Sequence, residues 1–234
     1  MLIPNNSHPS LATIFDVIPN AHYLVEKLGV NDEELKQPLN VIATQKGFTE
    51  IFLEALLVSY ASGMQINQDA LKALSAGELM KYLSLSHRYY LEKKLPEIEQ
   101  HIEQVVTKHG ACDPLATVLC ALFEKYRQKL EAHIRYEEEV FFPYALRLIN
   151  AVAFPNDNRY NSTIFLSQHT SLEDDLQFLC SFLLNSAHKT QQLLPYNVFL
   201  SHITLLEADL HQHSCIEEQV LVPKIQELEA LLNA

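Results

Sequence analysis

Tryptophan is absent, and glycine occurs only five times in 234 residues. The sequence has no Gly-rich loop to cradle a phosphate, no Ser nucleophile elbow and no HExxH protease motif. Cysteine is sparse too: Cys112, Cys120, Cys180 and Cys215 are scattered without a CxxC pair. That usage suits the reducing cytosol and thiols that act as small core residues. No apolar run approaches the roughly 18 residues of a membrane span. The N-terminus, MLIPNNSHPS, has neither the basic nor the apolar region of a signal peptide. Basic side chains are the minority: 17 Lys and Arg stand against 29 Asp and Glu, a net charge of −12. This balance argues against nucleic acid and anionic membranes as partners.

Leu, Glu, Ala and Gln are abundant, and they favour helix. The length allows one large domain, or one domain with a small companion. Residues 1–70 read as a small helical N-terminal domain. Within it, LATIFDVIPNAHYLVEKLGV has helical periodicity broken at Pro19 and closed by Gly29. LNVIATQKGFTEIFLEALLVSY follows Pro38 as a second segment, with Asn40 or Thr44 as candidate caps.

Residues 71–234 read as four long amphipathic helices. The first spans about 77–108, with the stripe Leu79, Leu83, His87, Leu91, Leu95, Ile98 and Ile102 and a kink expected at Pro96. The second spans about 113–149 and starts at Asp113-Pro114, a good cap and first-turn pair. The third, about 161–186, carries Phe165, His169, Leu172, Leu176, Leu179 and Leu183. The fourth spans about 196–231. Short loops between such helices predict an all-α, up-down-up-down four-helix bundle. Pro143 and Pro223 sit inside the second and fourth helices, where a kink or break is expected.

The chain repeats one stretch. Residues 130–143 read LEAHIRYEEEVFFP and residues 210–223 read LHQHSCIEEQVLVP. Leu, His, Glu, Glu, Val and Pro recur at the same offsets. Positions i and i+4 share a helix face, so His133 points with Glu137 and His213 with Glu217. Leu130 and Val140 extend one apolar face, and Leu210 and Val220 the other, so both faces should be buried. A buried ionised carboxylate costs several kcal/mol unless it is paired or bound to metal. Two buried His–Glu pairs therefore call for a cation. The competing reading is a duplication that preserves core packing alone. Another H-x3-E pair, His169 with Glu173, lacks the shared flanks.

Each of the four helices offers one stripe histidine: His87, His133, His169 and His213. With Glu137 and Glu217, this set is too large for one tetrahedral zinc and suits two metal ions with bridging carboxylates. Mixed N and O ligands favour iron or manganese on softness, while the general affinity order favours copper and zinc. The Glu-x-x-His of ferritin-like sites is absent.

These residues resemble the hemerythrin-like cation-binding (HHE) superfamily over about 77–231. HIRYEEEVFFP and HSCIEEQVLVP are most similar to the di-iron proteins for repair of iron centres. The resemblance implies two iron ions, oxo- or hydroxo-bridged, held by His87, His133, Glu137, His169, His213 and Glu217. His101 is the substitute should His87 not take part. It implies a role in repairing iron–sulfur clusters damaged by nitrosative or oxidative stress, with oxygen or nitric oxide as small ligand and iron–sulfur proteins as partners. The alternative is a di-iron module that binds or senses those gases without turnover. A bundle with a vestigial site is the third reading. TIFDVIPNAHYLVEKLGV resembles the small domain found ahead of such bundles, where family members often carry paired Cys. This chain has no Cys before Cys112.

Overall fold

The computed structural model describes residues 10–62, 71–109, 114–150, 160–168, 173–186 and 194–232. Among these residues the fold is an all-α helical bundle, and the one β feature is an isolated bridge pair, Ser10 with Pro38. No described helix is long and apolar enough to cross a membrane. The chain divides into two compact units, residues 1–89 with 212–234, and residues 90–211.

The first unit begins with α1 (Leu11–Val17), capped by Ser10, whose hydroxyl accepts from the Thr13 N–H at 3.3 Å. A short 3-10 turn at Pro19–Ala21 leads into α2 (His22–Leu28), which Gly29 ends in the left-handed conformation at φ +60°. The chain from Pro38 differs from the single segment read from sequence. It forms α3 (Leu39–Lys46), stops at Gly47 with φ +70°, and restarts as α4 (Glu50–Ala61). The cap of α4 is Thr49, whose hydroxyl accepts from the Phe52 N–H, rather than Asn40 or Thr44, which lie within α3. A glycine at positive φ closes a helix at no steric cost, and the threonine two residues on satisfies the next helix start. Leu11, Ile14, Leu24, Ile42, Phe52, Leu53, Leu56 and Leu57 are all buried.

Helix α5 (Ala76–Tyr89) completes the N-terminal portion of this unit. Ser75 and Glu78 form a reciprocal box at its start, the Glu78 N–H donating to Ser75 at 3.1 Å. Lys81 on α5 donates to the carbonyls of Lys46 and Gly47, tying α5 to the end of α3.

In the second unit, a π-turn at Tyr90–Lys94 is followed by α6 (Leu95–His109). Helix α7 (Pro114–Tyr136) leads through a π-turn at Glu137–Phe141 into α8 (Phe142–Ile149). Then come α9 (Ser162–Gln168), α10 (Glu173–Ser186) and α11 (Leu194–Ile216), whose last residues belong to the first unit. A third π-turn, Glu217–Leu221, and α12 (Val222–Leu232) close the chain within the first unit.

Pro96, Pro143 and Pro223 each lie two residues beyond the end of a π-turn. A proline inside an α-helix removes one N–H, and its ring clashes with the carbonyl four residues back. The wider π-turn moves that carbonyl away. The Phe142 N–H bonds to the Glu137 carbonyl and the Val222 N–H to that of Glu217, both five residues back. The expected kinks or breaks at these prolines are thus π-turns through which the helix carries on. The extra residue in each turn also shifts the apolar stripe. Tyr90 and Leu95 are buried where Leu91 is only half-buried. The expectation that Val140 extends the buried face is corrected: Val140 is exposed, while Val220 at the matching offset is buried.

Gly47 and Gly29 both hold a conformation that L side chains resist by about 1–2 kcal/mol. A methyl at Gly29 meets nothing, whereas one at Gly47 meets the Lys81 ammonium. Gly29→Ala should therefore lower stability by about 1 kcal/mol in urea unfolding, and Gly47→Ala by more.

Candidate metal centre

In the first unit α5 carries His87 and the end of α11 carries His213. The two rings are 2% and 4% exposed. Their Nε2 atoms lie 3.1 Å apart, with the rings tilted by 50°. Without a metal, such a contact is a hydrogen bond in which one ring donates and the other accepts. The same spacing suits a metal. Two imidazole nitrogens, each about 2.1 Å from one ion and at right angles around it, are about 3 Å apart. Glu217 opens the π-turn that packs against α5, and its side chain is fully buried. It follows His213 by four residues and shares its face.

In the second unit α7 and its π-turn supply His133 and Glu137. The His133 Nε2 is 2.7 Å from Glu137 Oε1, with side chains 11% and 0% exposed. The stripe geometry read from sequence places the two residues on one face, and the contact follows from it. An aromatic cover surrounds this pair. Phe141 stacks on Phe165 of α9 at 3.9 Å between centroids, and Tyr136 lies parallel to the same ring at 6.1 Å. Tyr136 and Tyr160 pair through their hydroxyls at 3.1 Å. Glu137 itself has no exposed surface, which raises the value of any positive charge beside it.

His87, His133, Glu137, His213 and Glu217 all offer a nitrogen or oxygen that can ligate a metal ion. Four of the five are buried, and His133 is nearly so. The donor set is imidazole and carboxylate, which fits iron and leaves out the thiolates that would select softer ions. His169 lies outside the described residues, as does the side chain of Glu173. His101, the substitute for His87, stands elsewhere: its ring is 4.4 Å from that of His202 in the second unit. Burial chiefly, then the charges of His101 and Lys94, hold His202 below its usual range.

Several residues that support these side chains have no sequence motif. Tyr90 is fully buried, and its hydroxyl donates to the Asp209 carbonyl at 3.4 Å. Tyr90, Glu137 and Glu217 each open a π-turn, and each lies six residues before a proline. That spacing is the signal in the sequence that marks the three turns. Gln212, next to His213, is buried and donates to Ser59 at 2.7 Å.

No protein-family model matches the chain. Over most of its length it is similar to proteins named for iron–sulfur cluster repair. The iron-sulfur cluster repair protein ScdA of Staphylococcus haemolyticus is 20% identical over 153 residues, 65% of this chain and 68% of that protein. A "probable iron-sulfur cluster repair protein" of Haemophilus influenzae is 22% identical over 188 residues, 80% of this chain and 82% of that one.

The described thiols differ in environment. Cys180 is buried and donates to Glu207 at 3.4 Å. Burial, and then the Glu207 charge, push its pKa up to about 12. Cys215 is half-buried beside Gln219, and Cys120 is exposed, where the thiols were expected to be mostly core residues. The thiolate is the nucleophile, so iodoacetamide at neutral pH should label Cys120 in the folded protein and leave Cys180 untouched until urea unfolds it. Peptide mass mapping reads both sites, and early labelling of Cys180 would contradict the assignment.

Proposed function

We propose that the protein is a non-haem di-iron protein acting in the repair of iron–sulfur clusters damaged by nitrosative or oxidative stress. His87, His133, His169 and His213 would supply the imidazole ligands, and Glu137 and Glu217 the carboxylate ligands, of two iron ions. The observation that carries this reading is the buried His87–His213 pair, whose 3.1 Å spacing fits two cis ligands of one ion. The duplicated His–Glu motif, the His133–Glu137 contact and the names of the two relatives support it.

Iron held there would supply one-electron chemistry and an open position for a small ligand such as oxygen or nitric oxide. The chain's own part is to bind. Glu137 and Glu217, though buried, would be kept ionised by iron held there, and both carboxylates would serve as its oxygen donors. The four imidazoles ligate through a bare ring nitrogen and so must be neutral, which makes iron uptake release protons and weaken as pH falls. The partners in this reading are damaged iron–sulfur proteins in the cytoplasm, with no role for nucleic acid or membrane.

A second reading keeps the iron and drops the repair: a module that binds or senses oxygen or nitric oxide. The absence of Cys before Cys112 favours it, since no thiol pair is available in the N-terminal segment.

Anaerobic loading with ferrous iron should place about two irons in each chain. His133→Ala should remove at least one of them, and a full complement of iron in that variant would contradict the ligand set. The loaded protein should restore activity to an oxidatively damaged iron–sulfur enzyme. A stable nitric oxide adduct without restoration would favour the second reading.

A further inference from the structure

Two adjacent residues of α4, Ser59 and Tyr60, are each 1% exposed and each bonded to a helix that carries a candidate ligand. Ser59 accepts from the Gln212 amide at 2.7 Å, and Gln212 is the residue before His213. The Tyr60 hydroxyl lies 3.0 Å from that of Tyr82 on α5, the helix of His87. Residues of α2 reinforce the same helix. Lys27, 3% exposed, donates to Tyr82 at 3.3 Å and sits 5.3 Å from the centre of its ring. Glu26 accepts from the Tyr89 hydroxyl at 2.8 Å.

These contacts fall on one stripe of α5. Tyr82, Ser86 and Tyr89 are spaced by four and three residues and share a face. Leu79, Leu83 and His87 form the adjoining stripe, about 100° round the helix. Gln212 and His213 stand in the same relation at the end of α11. Each of the two helices is thus held by one stripe through α4 and presents its histidine from the next. The helices of His87 and His213 thus share an anchor in a single turn of α4.

We infer that Ser59 and Tyr60 are positioning residues that set the spacing of His87 and His213, and so govern how tightly the N-terminal helical segment lets the centre retain iron. The inference rests on the metal reading of these histidines. In it α4 touches no metal. It acts by holding two ligands at a separation that one ion can span. The groups that hold that separation are buried hydroxyls rather than ligands.

The test uses the full chain loaded anaerobically with ferrous iron. Ser59→Ala and Tyr60→Phe, singly and together, are compared with wild type for iron release to an excess ferrous chelator and for electronic spectrum. Losing one buried hydrogen bond is expected to speed release about tenfold and to change the near-ultraviolet absorption of the oxidised centre. The unfolding temperature of the metal-free protein separates this from a general loss of stability. Ser62→Ala is the control, because its hydroxyl donates to the carbonyls of Val58 and Ser59 within its own helix turn; it should release iron at the wild-type rate. Should Ser59→Ala fail to fold, Ser59→Ala with Gln212→Leu removes both polar partners together and keeps the core apolar. Wild-type release and spectrum in all these variants would overturn the inference and leave the metal reading standing. Failure of the wild-type chain to hold iron would overturn both.

Discussion

Glu137 and Glu217 have no exposed surface, and the rest of the candidate centre follows from that burial. A carboxylate removed from water is unfavourable by several kcal/mol unless a cation or a set of donors replaces the lost hydration. The His133 imidazole lies 2.7 Å from Glu137, and in the proposed function iron would complete the replacement for both carboxylates. The apolar stripes that bury these groups and the polar groups themselves are therefore parts of a single arrangement.

The π-turns serve this arrangement. Each opens on the residue that must point inward, Tyr90, Glu137 or Glu217, and each admits a proline two residues past its end. An α-helix continued through that proline would meet a steric clash, and a broken helix would lose the stripe beyond it. The inserted residue avoids both outcomes and keeps the side chains that follow in the core, Phe141 and Phe142 after one turn and Leu221 and Val222 after the other.

Much of this was legible in the sequence. The His–Glu stripes follow from a period of 3.6 residues, and His133 meets Glu137 because residues four apart must face each other on a helix. Pro19 and Gly29 marked their boundaries for local reasons. Gly47 and Thr49 could have been read in the same way, since glycine followed by threonine is a stop and a start, but the apolar periodicity on either side masked the junction. The π-turns were hidden because periodicity assumes an unbroken helix, and only the repeated distance to proline betrays them. Contacts such as Ser59 with Gln212, separated by 153 positions, leave no local pattern at all. The similarity to repair proteins at 20–22% identity agrees with the motif reading.

The central claim is that imidazoles and two carboxylates enclose a pair of iron ions. Anomalous diffraction at the iron absorption edge, from crystals of the iron-loaded chain, tests it most directly. The account predicts two adjacent peaks bounded by His87, His133, Glu137, His169, His213 and Glu217. No iron peak at those side chains, or peaks bound at other residues, would contradict it.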